Sequence, residues 1–366
     1  MASELKTSRQ GSVVPFTIIE GPEDWRAADF PKLEDAILHL TPEYVSELDA
    51  AVATAESLIS EGKKLQDISL DDVSADLPTL SPALLEAGRE AQWGRGWSVL
   101  RGVPVGRYSR QQQLAAYWVL GLHWGRAVPQ NAKGHLIGHI KDLGRDPNDP
   151  STRLYATNAA QPWHNDGPAD LVSLLCLSNS EEGGESGWSS SIAVHNEILR
   201  RAPHLASVLA GPWFFDRKNE IPEGKKPFFE IPVFNYHKGY LSVNYSDNYY
   251  RLSQRHADVP RLTPEHHEAM QLFTELASSP EFAIRTILQP GDVQLLNNHT
   301  NLHYRGAFRD SPERTRHLLR LWLAPAHERP LPEVYSEIMG GSVVAGKRGG
   351  IFIQGAQHNP IPHEAE

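Results

Sequence analysis

Cysteine is nearly absent. Cys176 is the single example in 366 residues, so no intrachain disulfide can form and the fold must hold by packing. Cys176 lies in the apolar run 171–177, where a small buried hydrophobe is the expected role. Long apolar runs are missing too. No stretch approaches the roughly 18 apolar residues of a membrane-spanning helix. Residues 1–14 are polar and lack the apolar core of a signal peptide. A cytoplasmic protein without a membrane partner is the expectation. Positive charge is in deficit: 35 Lys and Arg against 45 Asp and Glu give a formal net charge of −10, and no basic run exceeds a few residues. Nucleic acid and anionic membrane are poor partners for such a chain. Internal repeats, heptads and low-complexity segments are also lacking. What is present, 40% hydrophobic and 22% charged residues, is the composition of a globular protein.

The first third reads as helical. Residues 1–31 form an irregular arm. Thr41-Pro42-Glu43 opens a helix over 41–65, with an apolar stripe at Val45, Leu48 and Val52. Residues 69–80 read as an acidic loop. Ser81 as N-cap and Pro82 as first helical residue open a second helix running to about Gly94. A strand over 97–103 and a third helix over 109–124 follow. From about His135 short apolar runs succeed one another at 135–141, 153–158, 171–178, 188–193, 213–217, 228–236, 240–245, 283–288, 293–297 and 317–323. Separated by Gly, Pro, Asn and Asp, they predict a barrel or a two-sheet jelly roll. Helices over 192–209 and 263–276 interrupt it. The polar segment 218–226, with Pro222 and Gly224, is expected to be a mobile surface loop that closes over substrate. The Gly-rich 340–366 is expected to be loosely held. The domain reading is an extension over 1–90 packing on a core over 91–366.

The chemistry centres on Gln161-Pro162-Trp163-His164-Asn165-Asp166-Gly167. In extended chain, residues i and i+2 point to one side, so His164 and Asp166 can reach one cation from a strand end. Downstream, 297–303 offers His299 and His303. Two imidazoles and a carboxylate on one face of an octahedron make the facial triad of non-haem Fe(II) oxygenases, with three positions left open. Further on, Arg316, Leu318, Arg320 and Trp322 share one face of a predicted strand, and His317, Leu319, Leu321 and Leu323 share the other. Two arginines aimed at a partly apolar interior each need an anion. Internal salt bridges would supply it; so would the carboxylate of a ligand, which a guanidinium matches with two parallel hydrogen bonds. A zinc hydrolase on the same three ligands would need a nearby general base, and no His-Glu-x-x-His appears. A non-catalytic jelly roll would have no use for two same-face arginines behind the triad.

Taken in order, His164-Asn165-Asp166, Glu182-Gly183-Gly184-Glu185-Ser186-Gly187-Trp188, Gly291-Asp292, Asn297-Asn298, His303 and Arg316-His317-Leu318-Leu319-Arg320 form a pattern. It resembles the TauD/TfdA family of Fe(II)- and 2-oxoglutarate-dependent dioxygenases, related to taurine dioxygenase and clavaminate synthase, over about 97–325. The resemblance implies a mainly β core, a double-stranded β-helix or jelly roll, with flanking helices. It matches His164, Asp166 and His303 to the iron ligands. Arg316 matches the arginine that binds the distal carboxylate of 2-oxoglutarate. Ser186 falls where the family often places a Thr or Ser on the co-substrate. Arg320 matches a position that in some members binds an anionic group of the substrate. His299 matches no ligand position and is expected in a supporting or surface place. Asn158, Tyr155, Trp163 and Trp213 are candidates to line the pocket. The implied reaction consumes 2-oxoglutarate and O2 and releases succinate and CO2. It oxidises an unactivated C–H of a small, carboxylate-bearing substrate such as an amino acid, by hydroxylation, desaturation or ring closure. Related halogenases lack the carboxylate that Asp166 supplies, which argues against halogenation. The family includes monomers, dimers and tetramers, so a homo-oligomer is compatible with the resemblance.

Overall fold

The computed structural model describes residues 11–327, 329–344, 346–351 and 360–366. Two sheets organise them. The larger runs in the order Ile37–His39, Trp97–Arg101, Val293–Asn297, Leu171–Ser178, His317–Ala324, and the last strand also pairs with Arg126–Ala127 and Ile137–Ile140. The smaller runs Ala283–Thr286, Ser186–Ser190, Asn301–Arg305, Gln161–His164. Pairing is antiparallel except between Ile37–His39 and Trp97–Arg101. From Gln161 onward the chain passes from sheet to sheet: Gln161–His164 small, Leu171–Ser178 large, Ser186–Ser190 small. After the intervening helices it does so again, through Val293–Asn297, Asn301–Arg305 and His317–Ala324. The rings of Trp97 and Trp188 meet at 5.3 Å and tie the two sheets together.

The longest pair, His317–Ala324 on Leu171–Ser178, lies in the middle of the molecule. Its side chains separate by parity as a strand requires. Leu319, Leu321 and Leu323 join an apolar cluster with helices Pro42–Ser60, Leu80–Trp93 and Arg110–Leu122. Arg320 and Trp322 point the other way, to Asp166. Helices Pro42–Ser60 and Leu80–Trp93 therefore cover the face of the larger sheet that is turned away from the triad, while Ile19 and Trp25 pack elsewhere, against Trp163 and Trp188 and their neighbours. Among the described residues no helix is long and apolar enough to cross a membrane.

Several elements depart from expectation, each for a physical reason. The first helix stops at Ser60 rather than 65, and Gly62 takes a left-handed φ of 100° just beyond it. Ser81 does not cap the second helix, which starts at Leu80. The Glu47 carboxylate accepts from the Thr79 and Leu80 amides at 3.0 and 2.7 Å, and Ser81 Oγ lies 3.1 Å from His123 Nε2 instead. The 192–209 helix is two, Ser191–Arg201 and Pro203–Leu209. Proline removes a helical N–H and bars the preceding residue from helical backbone, and Ala202 sits at φ −150°. The 228–236 strand is likewise split, into Phe228–Glu230 and Phe234–His237, around Pro232. Residues 153–158 are not a strand but a single turn of 3-10 helix, Leu154–Ala156. Helix Asp247–Ser253 and the strands Gln161–His164 and Asn301–Arg305 were not anticipated. The described parts of 340–366 are tied down rather than loose: Arg348 is buried against Asp170, and the Leu136 amide donates to Pro360 O.

Candidate active site

His164 ends the edge strand of the smaller sheet, directly across from His303. Their rings lie 4.1 Å apart between centroids. The chain then turns, and two asparagines fix the turn. Asn165 donates through Nδ2 to the Asn298 and Asn301 carbonyls, and its Oδ1 accepts the Tyr245 amide. Asn298 accepts the Asp166 amide on Oδ1 and donates to the Asp166 and Ala169 carbonyls. Side-chain amides thus replace the backbone pairing that the strand has lost. Their effect is to aim Asp166 at both histidines.

The carboxylate of Asp166 is divided between two tasks. Oδ1 faces the imidazoles, 3.5 Å from His164 Nε2 and 3.6 Å from His303 Nε2. Oδ2 accepts from Trp322 Nε1 at 2.6 Å and Arg320 Nη1 at 3.1 Å. Arg320 is held in turn by Gln130 Oε1 at 2.7 Å. Burial alone would raise the Asp166 pKa; the Arg320 charge and the neighbouring His303 outweigh it and hold it well below the usual range. Burial pushes His303 down to about 4 despite its carboxylate neighbour, so it is neutral near pH 7. His164 Nδ1 lies 2.7 Å from Pro162 O, which assigns the proton to Nδ1 and the lone pair to Nε2. That lone pair now accepts from Gln161 Nε2 at 2.7 Å.

One ligand atom from each of His164, Asp166 and His303 lies within 4.8 Å of the others. Neutral imidazoles and an ionised carboxylate are the donor set that a divalent first-row metal needs, and they fit Fe(II). Beside them opens a cavity of about 240 Å³, lined among others by His164, Asp166, Trp163, Tyr155, Tyr249, Lys218 and Arg320. Its size suits a small molecule.

Arg316 is buried. Its Nε donates to Gly184 O at 3.3 Å, and its Nη1 has no partner among the described residues. Burial pushes its pKa down to about 10. An unmet buried guanidinium N–H is a place for an anion. Arg305 has the same need, and the sequence reading missed it: its Nε and Nη1 are buried without partners among the described residues. It follows His303 by two in the same strand, lies across from Ser186, and shares the Phe308 ring with Arg316 at 5.0 and 5.4 Å. Ser186 is buried on the neighbouring strand.

The other candidates divide. Tyr155 and Trp163 line the cavity, and the Arg320 guanidinium lies 5.1 Å from the Tyr155 ring. Trp213 does not reach it: it is fully buried, packs on Tyr250 and donates to Val208 O. Asn158 is exposed and lies outside the lining; its carbonyl accepts the Phe308 amide. His299 is buried 2.8 Å from Asp170 and takes no part in the triad. Gln161, Gln130 and Trp322 escaped the sequence reading as site residues, although the parity that pairs Trp322 with Arg320 was visible there.

Residues 61–322 match the profile of the taurine catabolism dioxygenase TauD, TfdA family. The chain belongs to the TauD/TfdA family. By that membership it is an Fe(II)- and 2-oxoglutarate-dependent oxygenase. It is 33% identical over 304 residues to FR-33289 synthase of Streptomyces rubellomurinus, covering 80% of this chain and 87% of that protein. A taurine hydroxylase-like protein, SAT17, of Stachybotrys chartarum is 28% identical over 309 residues, 81% of this chain and 77% of the relative. Among solved structures, asparagine oxygenase in complex with Fe(II), hydroxyasparagine and succinate shares the fold. It superposes with a TM-score of 0.59 at 16% identity, covering 79% of this chain and 93% of that one.

Proposed function

We propose that this TauD/TfdA enzyme binds Fe(II) through His164, Asp166 and His303. In this reading it anchors the far carboxylate of 2-oxoglutarate on Arg316, with Ser186 nearby, and oxidises a C–H of a small anionic molecule held in the adjoining cavity. The alternation of the chain between two facing sheets supports a double-stranded β-helix, with residues 1–90 as an extension packed on a 91–366 core. When bound, iron and 2-oxoglutarate supply O2-dependent oxidation of an unactivated C–H, with succinate and CO2 released.

The protein's part is positional. Asp166 is kept ionised and turned so that Oδ1 faces the two Nε2 atoms, because Trp322 and Arg320 occupy Oδ2. His164 is held in the matching tautomer by the Pro162 carbonyl. Arg316 waits in a buried place where a carboxylate satisfies a donor that no other described residue meets. Trp163, stacked on Tyr304 at 5.3 Å, walls the cavity against solvent. Hydroxylation is the outcome most in keeping with these features, with desaturation or ring closure as variants on the same site. Relatives and neighbours named for taurine and asparagine are in keeping with a small anionic or zwitterionic substrate.

The single observation that carries the reading is the divided carboxylate of Asp166. Anaerobic Fe(II) titration followed by succinate assay on admitting O2 tests it. Wild type should bind one Fe(II) and form succinate from 2-oxoglutarate. His164→Ala and Asp166→Ala should each abolish both, and retained iron affinity in either variant would refute the assignment.

A further inference from the structure

Residues 360–366 lie against strand Ile137–Ile140, at the edge of the larger sheet, yet a row of hydrogen bonds joins them to the triad. Pro360 O accepts the Leu136 amide at 2.6 Å. The Leu136 carbonyl accepts from Gln130 Nε2 at 2.8 Å. Gln130 Nε2 also donates to the Arg320 carbonyl at 2.7 Å, and Gln130 Oε1 accepts from Arg320 Nε at 2.7 Å. Arg320 Nη1 closes the row on Asp166 Oδ2 at 3.1 Å. Gly138 stands opposite Arg320 in the strand register, and a Cβ there would meet Gln130 Oε1 at 2.7 Å. The missing side chain is what lets the Gln130 amide lie across the strand pair.

The segment is seated by more than its backbone. His139 Nε2 lies 2.9 Å from Pro362 O, His139 Nδ1 lies 2.7 Å from His317 Nε2, and His317 Nδ1 lies 3.3 Å from Arg110 Nη2. A guanidinium only donates and a carbonyl only accepts. Each imidazole therefore donates through Nε2 and accepts on Nδ1, and the buried pair is satisfied in its neutral form. Glu364 pairs with Arg110 at 3.2 Å, Glu366 pairs with Lys133 at 3.1 Å, and Ile361 packs on the apolar cluster of the sheet and helices. A cavity of about 10 Å³ is lined by Gln130, His135, His139, Tyr155, Arg320 and Glu366. It has room for about one water at most. With Glu366 on one wall and Arg320 on another, the seated segment helps to keep Arg320 dry, and its attraction for Asp166 is stronger for that.

We propose that residues 360–366 are a positioning strap for Asp166. Seated, the segment fixes Leu136, Leu136 fixes Gln130, and Gln130 holds Arg320 on Oδ2. Unseated, it loosens Gln130 and lets water reach Arg320, so the carboxylate loses one of its two holds. The strap touches neither metal nor substrate and acts through Gln130, itself a positioning residue. The proposal rests on the reading of Asp166 as a metal ligand. Such coupling is reciprocal: if the seated segment favours metal, metal on the triad favours the seated segment.

Calorimetric titration of the metal-free, full-length protein with Co(II) tests the strap. Ile361→Ser combined with Glu364→Ala loosens the segment without altering Gln130, Arg320 or the triad. It should weaken Co(II) binding about two- to thirtyfold. Gln130→Met breaks the link itself and should weaken binding over the same range. All three substitutions together should bind no more weakly than Gln130→Met alone, because the strap then has nothing to act through. In wild type, hydrogen exchange at the Leu136 amide reports seating directly, and Co(II) should slow it about twofold or more. An unchanged Co(II) Kd in the strap variant, losses that multiply when it is combined with Gln130→Met, or exchange at Leu136 indifferent to Co(II) would each overturn the strap. If the strap variant proves misfolded by circular dichroism, the wild-type exchange decides. Failure of wild type to bind Co(II) at all is a separate result, which would sink the metal reading and the strap with it.

Discussion

Trp322→Phe isolates one hydrogen bond. The indole Nε1 donates to Asp166 Oδ2 at 2.6 Å, while the ring packs with Val128, Ala169, Val172 and Ala324. Phenylalanine keeps an aromatic ring against these residues and under the Arg320 guanidinium, 4.5 Å away, and removes the donor. A hydrogen bond to an ionised carboxylate is worth about 1.5–3 kcal/mol. The loss leaves Arg320 at 3.1 Å as the remaining side-chain donor on that oxygen and lets the carboxylate rotate away from the two imidazoles. If Asp166 is an iron ligand, part of that energy appears in metal affinity, and a fall of roughly 10–100-fold is expected. Anaerobic calorimetry with Fe(II), repeated with redox-inert Co(II), measures it, and the thermal midpoint of the metal-free protein checks the fold. Arg320→Met and the double variant complete a cycle. Both donors hold the same oxygen, so their effects should not add. An unchanged metal Kd in Trp322→Phe, within about twofold, would show that Asp166 needs no holding and would remove the argument from the divided carboxylate.

Further expectations follow from the same geometry. His303→Ala should abolish Fe(II) binding while His299→Ala, which loses its contacts with Asp170 and the Tyr335 ring, should keep it at a stability cost of about 1–3 kcal/mol; the reverse result would exchange the two imidazoles. Gly184 has φ 76°, and a Cβ there would meet Arg316 Cδ at 2.8 Å, so Gly184→Ala should displace Arg316 and raise the KM for 2-oxoglutarate about tenfold or more; an unchanged KM would detach Arg316 from the co-substrate. Hydrogen exchange over 218–226 should slow on saturation with substrate if that segment closes over the cavity, and unchanged protection counts against a lid. Burial pushes His195 down to about 4, against about 6.5 unfolded. The unfolded chain therefore takes up a proton that the fold excludes, and stability present above about pH 6.5 is lost as the pH falls toward 4. Between about pH 7 and 5 the loss from this residue is about 2 kcal/mol, and denaturant titrations of His195→Gln should show a slope shallower by nearly one proton than wild type.

What was legible in the sequence follows from which interactions are local. The strands Leu171–Ser178 and Val293–Asn297 matched residue for residue because they are dense in apolar residues, broken only by Ser173 and Gln294, and are bounded by turn residues. The histidines and Asp166 were legible because two of them sit at i and i+2 and the third follows a long apolar strand. The edge strand Gln161–His164 was not. Pro162 lacks an N–H and reads as a turn, yet an edge strand tolerates it on its unpaired side. The cap on Leu80–Trp93 was invisible for another reason: Glu47 supplies it from 33 residues away, and no local pattern encodes that. Trp213 and Lys218 were misread in opposite directions. An aromatic before a polar loop was read toward the pocket and belongs to the core, while a lysine opening that loop was read as surface and lines the cavity.

Arg316 and Arg320 meet their need for an anion in different ways. Parity said only that two inward arginines each require an anion. For Arg316 that anion is not supplied by any side-chain carboxylate among the described residues, and its Nη1 is unmet. For Arg320 it is Asp166, at 3.1 Å, with Gln130 on the other edge of the guanidinium. A substrate anion that recruits Arg320 must therefore share it with a carboxylate already assigned to the metal. Drawing the guanidinium away weakens the hold on Oδ2 and leaves Trp322 to orient Asp166. A ligand bound through Arg320 should therefore lower the affinity for metal. Measuring the Fe(II) Kd with and without a saturating amino-acid or small carboxylate substrate checks it, and an unchanged Kd would show that Arg320 stays with Asp166.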